Sequence, residues 1–135
     1  MNIKLTDLEF RRLLDMAYIG NWVLNSARGV DRFADYDNLE SRLFSLCLTC
    51  NMPTLVDFST GIARPSPDFE TGGIHEAIAD YEDAIFFEIL AEEMARRDMA
   101  FEPISPENLN ELTNRIDEYI QEFEQNGIDN ISLNK

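Results

Sequence analysis

Apolar residues recur at helical spacing in four segments of this 135-residue chain, and that periodicity constrains its fold more than any other feature. The last segment is the clearest. Ser105 is a suitable N-cap, Pro106 fits the first helical position and Gly127 is a typical stop, so the sequence predicts a helix over 106–126. A helix with one apolar stripe must bury that stripe against other elements. The stripe comprises Leu109, Leu112, Ile116, Tyr119, Ile120 and Phe123.

The first helical segment begins with a capping box. Thr6 and Glu9 have the required spacing, and the apolar pattern predicts a helix that continues to about Ser26. Because residues 13–24 are apolar on more than one face, we expect this helix to be the central and most enclosed one. Gly20 costs a helix interior up to about 1 kcal/mol relative to Ala, so we expect a close helix–helix crossing there. Trp22 is expected to pack in the core.

Two more helical segments lie between these. One is predicted to begin near Asp37 and to continue through Cys50 until Pro53 ends it. The other covers residues 74–99, and a cap at Asp80 would divide it in two. Prolines and glycines interrupt residues 53–73, where a long structureless loop would be unusual. We therefore expect a short strand or a single helical turn at residues 54–58.

These patterns predict an all-α fold, a compact bundle of four to five helices with room for one minor short strand pair. Residues 1–135 are expected to form a single helical domain. The N-terminus lacks the pattern of a signal peptide, and no apolar stretch is long enough to cross a bilayer. Two cysteines do not make a disulfide scaffold. Together these features predict a cytoplasmic protein.

Acidic charge is concentrated in the second half of the chain. Residues 1–64 carry eight acidic and seven basic side chains, a net charge of −1, whereas residues 65–135 carry eighteen and four, a net charge of −14. A total of −15 argues against direct binding to nucleic acid, which requires Lys and Arg to neutralise phosphates. It argues equally against anionic membrane surfaces. A basic protein partner remains compatible with this charge.

The Cys47-Leu48-Thr49-Cys50 spacing resembles that of a redox pair or half of a zinc site. Both cysteines fall in the last turn of the predicted second helix, where the helix dipole raises a thiol pKa. A zinc site would need two further ligands, and the chain offers one histidine and no third cysteine. Both thiols are therefore expected to fill the core.

His75 opens the best local cluster of potential metal ligands. Glu76, Asp80 and Asp83 follow at spacings that place them along one helix face, and oxygen ligands suit Mg²⁺, Ca²⁺ or Mn²⁺. The Glu-x-x-His motif of di-iron bundles is absent, and acidic residues at a helix N-terminus are favoured without any metal. Motifs for nucleophilic catalysis and nucleotide binding are absent too. We therefore predict no catalytic residues and no cofactor.

The last helix carries an acidic face that includes Glu111, Glu118 and Glu122. Like charges at i, i+4 destabilise a helix, so the face is a candidate docking surface. The first hypothesis for function is a non-enzymatic domain that acts through protein–protein contacts, as a homodimer or with a basic protein. A second is an acidic mimic of nucleic acid that inhibits a DNA-binding protein. A third is a small metal-dependent enzyme.

Overall fold

A computed structural model describes residues 1–134 and confirms the all-α class with one minor strand pair. Val56–Asp57 (β1) and Arg64–Pro65 (β2) pair antiparallel, with Val56 opposite Pro65. Four of the helices have twelve or more residues, and the fifth is a single turn. The helices are Asp7–Asn25 (α1), Ala34–Ser45 (α2), Pro67–Phe69 (α3), His75–Asp98 (α4) and Leu109–Asn126 (α5).

The chain forms two compact units, Met1–Ile78 and a second unit from Ala79 onward. The first unit contains α1, α2, α3, the strand pair and the first turn of α4. The second contains the remainder of α4 together with α5. The single domain expected over 1–135 stays a prediction.

Helix α1 starts as predicted but is not enclosed. The Thr6 backbone N–H donates to Glu9 Oε2 at 2.8 Å, and the Glu9 N–H donates to Thr6 Oγ1 at 3.2 Å, which completes the capping box. The expectation of a central, enclosed helix is wrong, because α1 buries only one side. Its buried side chains are Phe10, Leu14, Tyr18, Asn21 and Asn25.

Helix α2 begins at Ala34, three residues before the predicted start near Asp37. Its N-cap residue, Phe33, has no side-chain cap of its own. Instead, the Phe33 N–H donates to Asn25 Oδ1 of α1 at 2.8 Å. Asn25 thus takes the place of the N3 side chain that accepts from the N-cap N–H in a capping box. Because this partner lies on another helix, the local pattern misplaced the start.

The segment between α2 and α4 is more regular than a loop. Both alternatives for residues 54–58 occur, since a 3₁₀ turn at Pro53–Leu55 leads directly into β1. Ser66 caps α3, accepting from the Phe69 N–H at 3.2 Å. The Phe69 ring is fully buried and meets Phe44 edge-on with centroids 4.9 Å apart. The segment therefore completes the core of the first unit.

The second unit has a small core between α4 and α5, built from Ala95, Met99 and Leu112. Helix α4 is continuous, so the cap considered at Asp80 does not divide it. Phe86 of this helix is 52% exposed. Apolar residues occur all around this helix, and burial against α5 alone covers only one side.

Helix α5 begins at Leu109, three residues after the predicted start, and ends at Asn126 as predicted, with Gly127 as its C-cap residue at a φ of 56°. Asn108 explains the later start, because its Oδ1 accepts from the Ser105 N–H at 2.8 Å and its Nδ2 donates to the Pro103 carbonyl at 3.1 Å. These bonds form a turn before the helix. No helix among residues 1–134 combines the length and apolar character needed to cross a membrane.

Candidate functional site

A buried amide network joins α1 to α2 in the first unit. Asn25 is 1% exposed, and its Nδ2 donates to Asn21 Oδ1 at 2.7 Å and to the Phe33 carbonyl at 3.1 Å. The Asn21 amide in turn donates to Asp37 Oδ1 and Glu40 Oε2, both at 3.0 Å. Buried polar groups are tolerated only when they are hydrogen-bonded in this way. The network therefore fixes the position of α2 against α1.

Two carboxylates in this network have opposite electrostatic environments. Arg32 forms two hydrogen bonds with Asp37, at 2.8 and 2.9 Å, and these bonds, with the one from Asn21, lower the pKa of Asp37 to about 2. Burial raises the pKa of Glu40, whose hydrogen bond from Asn21 only partly opposes this effect. Of these two carboxylates, Glu40 is therefore the one whose negative charge is less well compensated.

Tyr18 and His75 meet beside this network. Tyr18 Oη lies 2.7 Å from His75 Nε2, and either atom can donate, depending on the histidine tautomer. Burial, together with the carboxylates of Glu70 and Glu40, raises the pKa of Tyr18 to about 12. The phenol therefore keeps its proton at neutral pH. Trp22 completes the aromatic cluster, with its ring edge-on to His75 at a centroid distance of 4.9 Å.

Several of these side chains, but not His75, line an open polar cleft of about 370 Å³. The lining residues are Tyr18, Asn21, Trp22, Ser26, Arg32, Glu40, Arg64 and Glu70. Nucleophilic catalysis needs a nucleophile within hydrogen-bond reach of a base. Here the candidate base, His75, is hydrogen-bonded to the phenol of Tyr18, which remains protonated. The cleft can bind polar groups, but its geometry does not supply an activated nucleophile.

A second surface of the same unit is apolar. Leu8, Met16, Ile19 and Val23 lie on the side of α1 away from the core, where the exposed Arg12 separates Leu8 from the other three. We call the four apolar residues the α1 apolar face. Their exposed fractions are 65, 71, 37 and 70%, respectively. Met16, Ile19 and Val23 are neighbours on the helix surface, and a contiguous exposed apolar patch marks an interaction site.

Between α1 and α2, next to the α1 apolar face, lies a small depression that we call the apolar dent. Its volume is about 150 Å³, and Gly20 forms part of its wall. A Cβ built on Gly20 would have no neighbouring atom within 4 Å. The close helix–helix crossing expected at Gly20 is therefore not made by this chain. The lining residues are Ala17, Gly20, Asn21, Leu24, Tyr36, Leu39 and Glu40.

The candidate metal ligands are not assembled into a site. Glu76, Asp80 and Asp83 are exposed along α4, while His75 is directed to Tyr18. Within residues 1–134, no group of three or more His, Cys, Asp or Glu side chains is close enough to hold a metal ion.

The three acids of the predicted docking face share one side of α5, as their spacing requires. Two of them already have partners within the second unit. Arg115 Nη2 lies 2.9 Å from Glu111 Oε1, and Glu122 accepts from Asn126 at 3.1 Å and from Asn130 at 2.5 Å. Glu118 is exposed. The role of this face as a docking surface stays a prediction.

The two cysteines pack on the core of the first unit. Cys47 is fully buried and Cys50 is half-buried against the same cluster, and both are free thiols. Burial raises the pKa of Cys47. Both features suit packing better than redox chemistry, in agreement with the sequence-based interpretation.

Sequence reasoning missed the amide network and the Tyr18–His75 pair. The spacing of Asn21 and Asn25 was visible, since amides at i, i+4 on a helix can hydrogen-bond each other. Tyr18 and His75 are 57 positions apart in the sequence, so no local sequence pattern predicts their contact. Comparison with known proteins identifies no matching family model, no matching curated protein and no matching solved structure.

Proposed function

We propose that this chain is a non-enzymatic helical domain that acts through protein–protein contacts, and that it associates with a second copy of itself as a homodimer. The observation that carries the proposal is the α1 apolar face. Four large apolar side chains at helical spacing are exposed on the first unit while its core is already complete. The free thiols agree with the expected cytoplasmic location.

The exposed area supports the same proposal. A globular monomer of 15.5 kDa exposes about 7,200 Å², and two separate globules with the sizes of the two units would together expose about 8,700 Å². The chain exposes 10139 Å². The surplus of roughly 1,400 Å² per chain is in the range that each partner buries in an obligate homodimer.

Charge favours the first unit as the place of contact. Two copies that met through residues 65–135 would bring net charges of −14 together, whereas residues 1–64 carry only −1. Like charges placed across an interface cost several kcal/mol. The α1 apolar face lies entirely in the near-neutral part of the chain.

The mimic of nucleic acid is not favoured by the arrangement of acids on α4. Phosphate mimicry requires the carboxylates to form one surface. At 3.6 residues per turn, Glu82, Asp83 and Glu88 project from α4 in directions at least about 100° apart. The acids of α4 therefore do not form one surface, whereas the three acids of the predicted docking face share one side of α5.

The test compares two valines that are both exposed. Val23 lies on the α1 apolar face, and Val30 lies in the following loop, fully exposed. Burying a Val side chain is worth about 1.5–3 kcal/mol, and a symmetric dimer buries it twice, so Val23→Glu should weaken association at least 100-fold. Val30→Glu adds the same charge nearby and should leave association unchanged.

Sedimentation equilibrium of each variant over a range of concentrations gives the dissociation constant directly. Wild-type protein that remains monomeric at all concentrations would refute the proposal. So would equal effects of the two substitutions, because general repulsion would then be the cause.

A further inference from the structure

We infer that α1 of the second copy crosses α1 at Gly20, so that an apolar side chain from each copy fills the apolar dent of the other. This inference rests on the proposed self-association and specifies its geometry. It gives a role to a glycine that the isolated chain does not explain.

Gly20 is the starting observation. It stands inside a 19-residue helix, where glycine is the least favourable residue apart from proline. Its φ is not in the left-handed region, and no atom lies within 4 Å of the position that a Cβ would take. Neither backbone conformation nor packing within the chain therefore requires glycine here. Close approach of the backbone of a second molecule to this position would require glycine, because any side chain would be in the way.

The dent beside Gly20 has the character of a receptor for one side chain. Its exposed surface is almost wholly apolar, and its volume of about 150 Å³ is large enough to admit one aliphatic side chain. Tyr36 and Leu39 of α2 form its far side, and both remain about half exposed. An apolar dent of this kind gains stability when it is filled, since water makes few favourable contacts there.

The same chain carries the side chains that could fill it. Met16, Ile19 and Val23 surround Gly20 in the sequence and point outward from α1. In a two-fold dimer, each copy presents the same patch to the other. A projecting side chain of one copy can therefore enter the apolar dent of the second copy, and the reverse contact forms at the same time. A crossing at Gly20 places the two-fold axis next to this residue.

The acidic half offers no equivalent place for a second copy. Tyr81, Phe86 and Ile89 are exposed on α4, but the helix around them carries acids on all sides. A second copy brings the same acids to that surface, and repulsion opposes the contact. The near-neutral α1 and α2 surface carries no such penalty.

The experiment uses Gly20 and a second exposed glycine, Gly29, as a matched pair. A Cβ at Gly29 would also have no neighbour within 4 Å, and Gly29 lies in the loop after α1. Gly20→Leu should raise the dimer dissociation constant at least tenfold while the helical circular dichroism signal is kept. Gly29→Leu should leave the dissociation constant unchanged.

A cross-link tests the symmetry of the crossing. Gly20→Cys should form a disulfide-linked dimer under mild oxidation, because residues next to a two-fold axis meet their own copies. Gly29→Cys and the wild-type chain, which retains Cys47 and Cys50, serve as controls and should remain unlinked. The cross-link decides the question alone if Gly20→Leu fails to fold.

The outcomes separate this inference from the proposal it rests on. A wild-type monomer overturns both. A wild-type dimer that is dissociated by Val23→Glu but unaffected by Gly20→Leu, with no cross-link at position 20, overturns the crossing and leaves self-association standing.

Discussion

Asn25 provides the sharpest test of how the first unit is held together. Replacing Asn25 with Asp keeps the shape of the side chain and the acceptor for the Phe33 N–H. It removes the Nδ2 donor, which serves both Asn21 Oδ1 and the Phe33 carbonyl. It also brings a buried charge close to Asp37, which lies 3.4 Å from the present Nδ2.

The magnitude follows from these contacts. Two neutral hydrogen bonds contribute about 1 kcal/mol each, and an acceptor left buried without a donor costs about 1–3 kcal/mol. We expect Asn25→Asp to lower the free energy of unfolding by about 2–4 kcal/mol. For a chain of this size, 1 kcal/mol corresponds to a shift of about 3–5 °C in Tm. No cavity is created, so packing loss does not contribute.

Urea unfolding followed by tryptophan fluorescence is the suitable assay. Trp22 is the only tryptophan in the chain and lies in the first unit, so the signal reports on the region that the substitution changes. Asn38→Asp is the matched control, because Asn38 is exposed on α2 next to Asp37. It adds the same charge without removing a bond of the network and should change stability by less than about 0.5 kcal/mol.

The pH dependence supplies a second readout. A buried carboxyl beside Asp37 should have a pKa above its unfolded value of about 3.9. Its folded state is then most stable when protonated, so the deficit of Asn25→Asp relative to Asn38→Asp should shrink as pH falls toward 4. If Asn25→Asp and Asn38→Asp unfold within about 0.5 kcal/mol of each other at pH 7, the network does not hold α2 in the way argued here.

Three further predictions concern other parts of the chain. Burial raises the pKa of Glu40, so the folded state loses stability as pH rises through that pKa. Glu40→Gln should therefore raise Tm at pH 7. In thermal scans at several pH values, this gain in Tm should disappear below about pH 4.5. Ala100 has a φ of 55°, in the left-handed region that favours glycine. Ala100→Gly should therefore raise the free energy of unfolding by up to about 1 kcal/mol, measured by chemical denaturation. A decrease would show that the left-handed conformation at Ala100 is not strained. Added NaCl should raise the wild-type Tm, because screening weakens repulsion among the acids; a fall in Tm would mean that specific ion pairs dominate.

The features that sequence predicted correctly depend on contacts within one helical turn. The capping box joins Thr6 to Glu9, three residues away. The stop at Gly127 depends on one residue's access to positive φ. Such contacts are encoded where they occur, so a pattern of spacing is sufficient to find them.

The features that sequence misplaced depend on distant or subtle partners. Helix α2 starts early because Asn25 of another helix receives the Phe33 N–H. The enclosure expected for α1 assumed that its apolar side chains are buried within the chain, whereas Met16 and Val23 are mostly exposed. The Tyr18–His75 contact requires the whole path of the chain to be known. The periodicity of apolar residues predicts which side of a helix is apolar, but it does not predict which element packs against that side.

The buried amide network also has a consequence for binding. Asn21 lines the apolar dent and is hydrogen-bonded to Asn25, and together the two amides fix the spacing of the two helices that form its walls. A receptor that is already rigid loses little conformational entropy when it is occupied. In the proposed dimer, changes at Asn25, which is fully buried within its own chain, should therefore weaken the affinity between copies because they loosen the walls of the apolar dent.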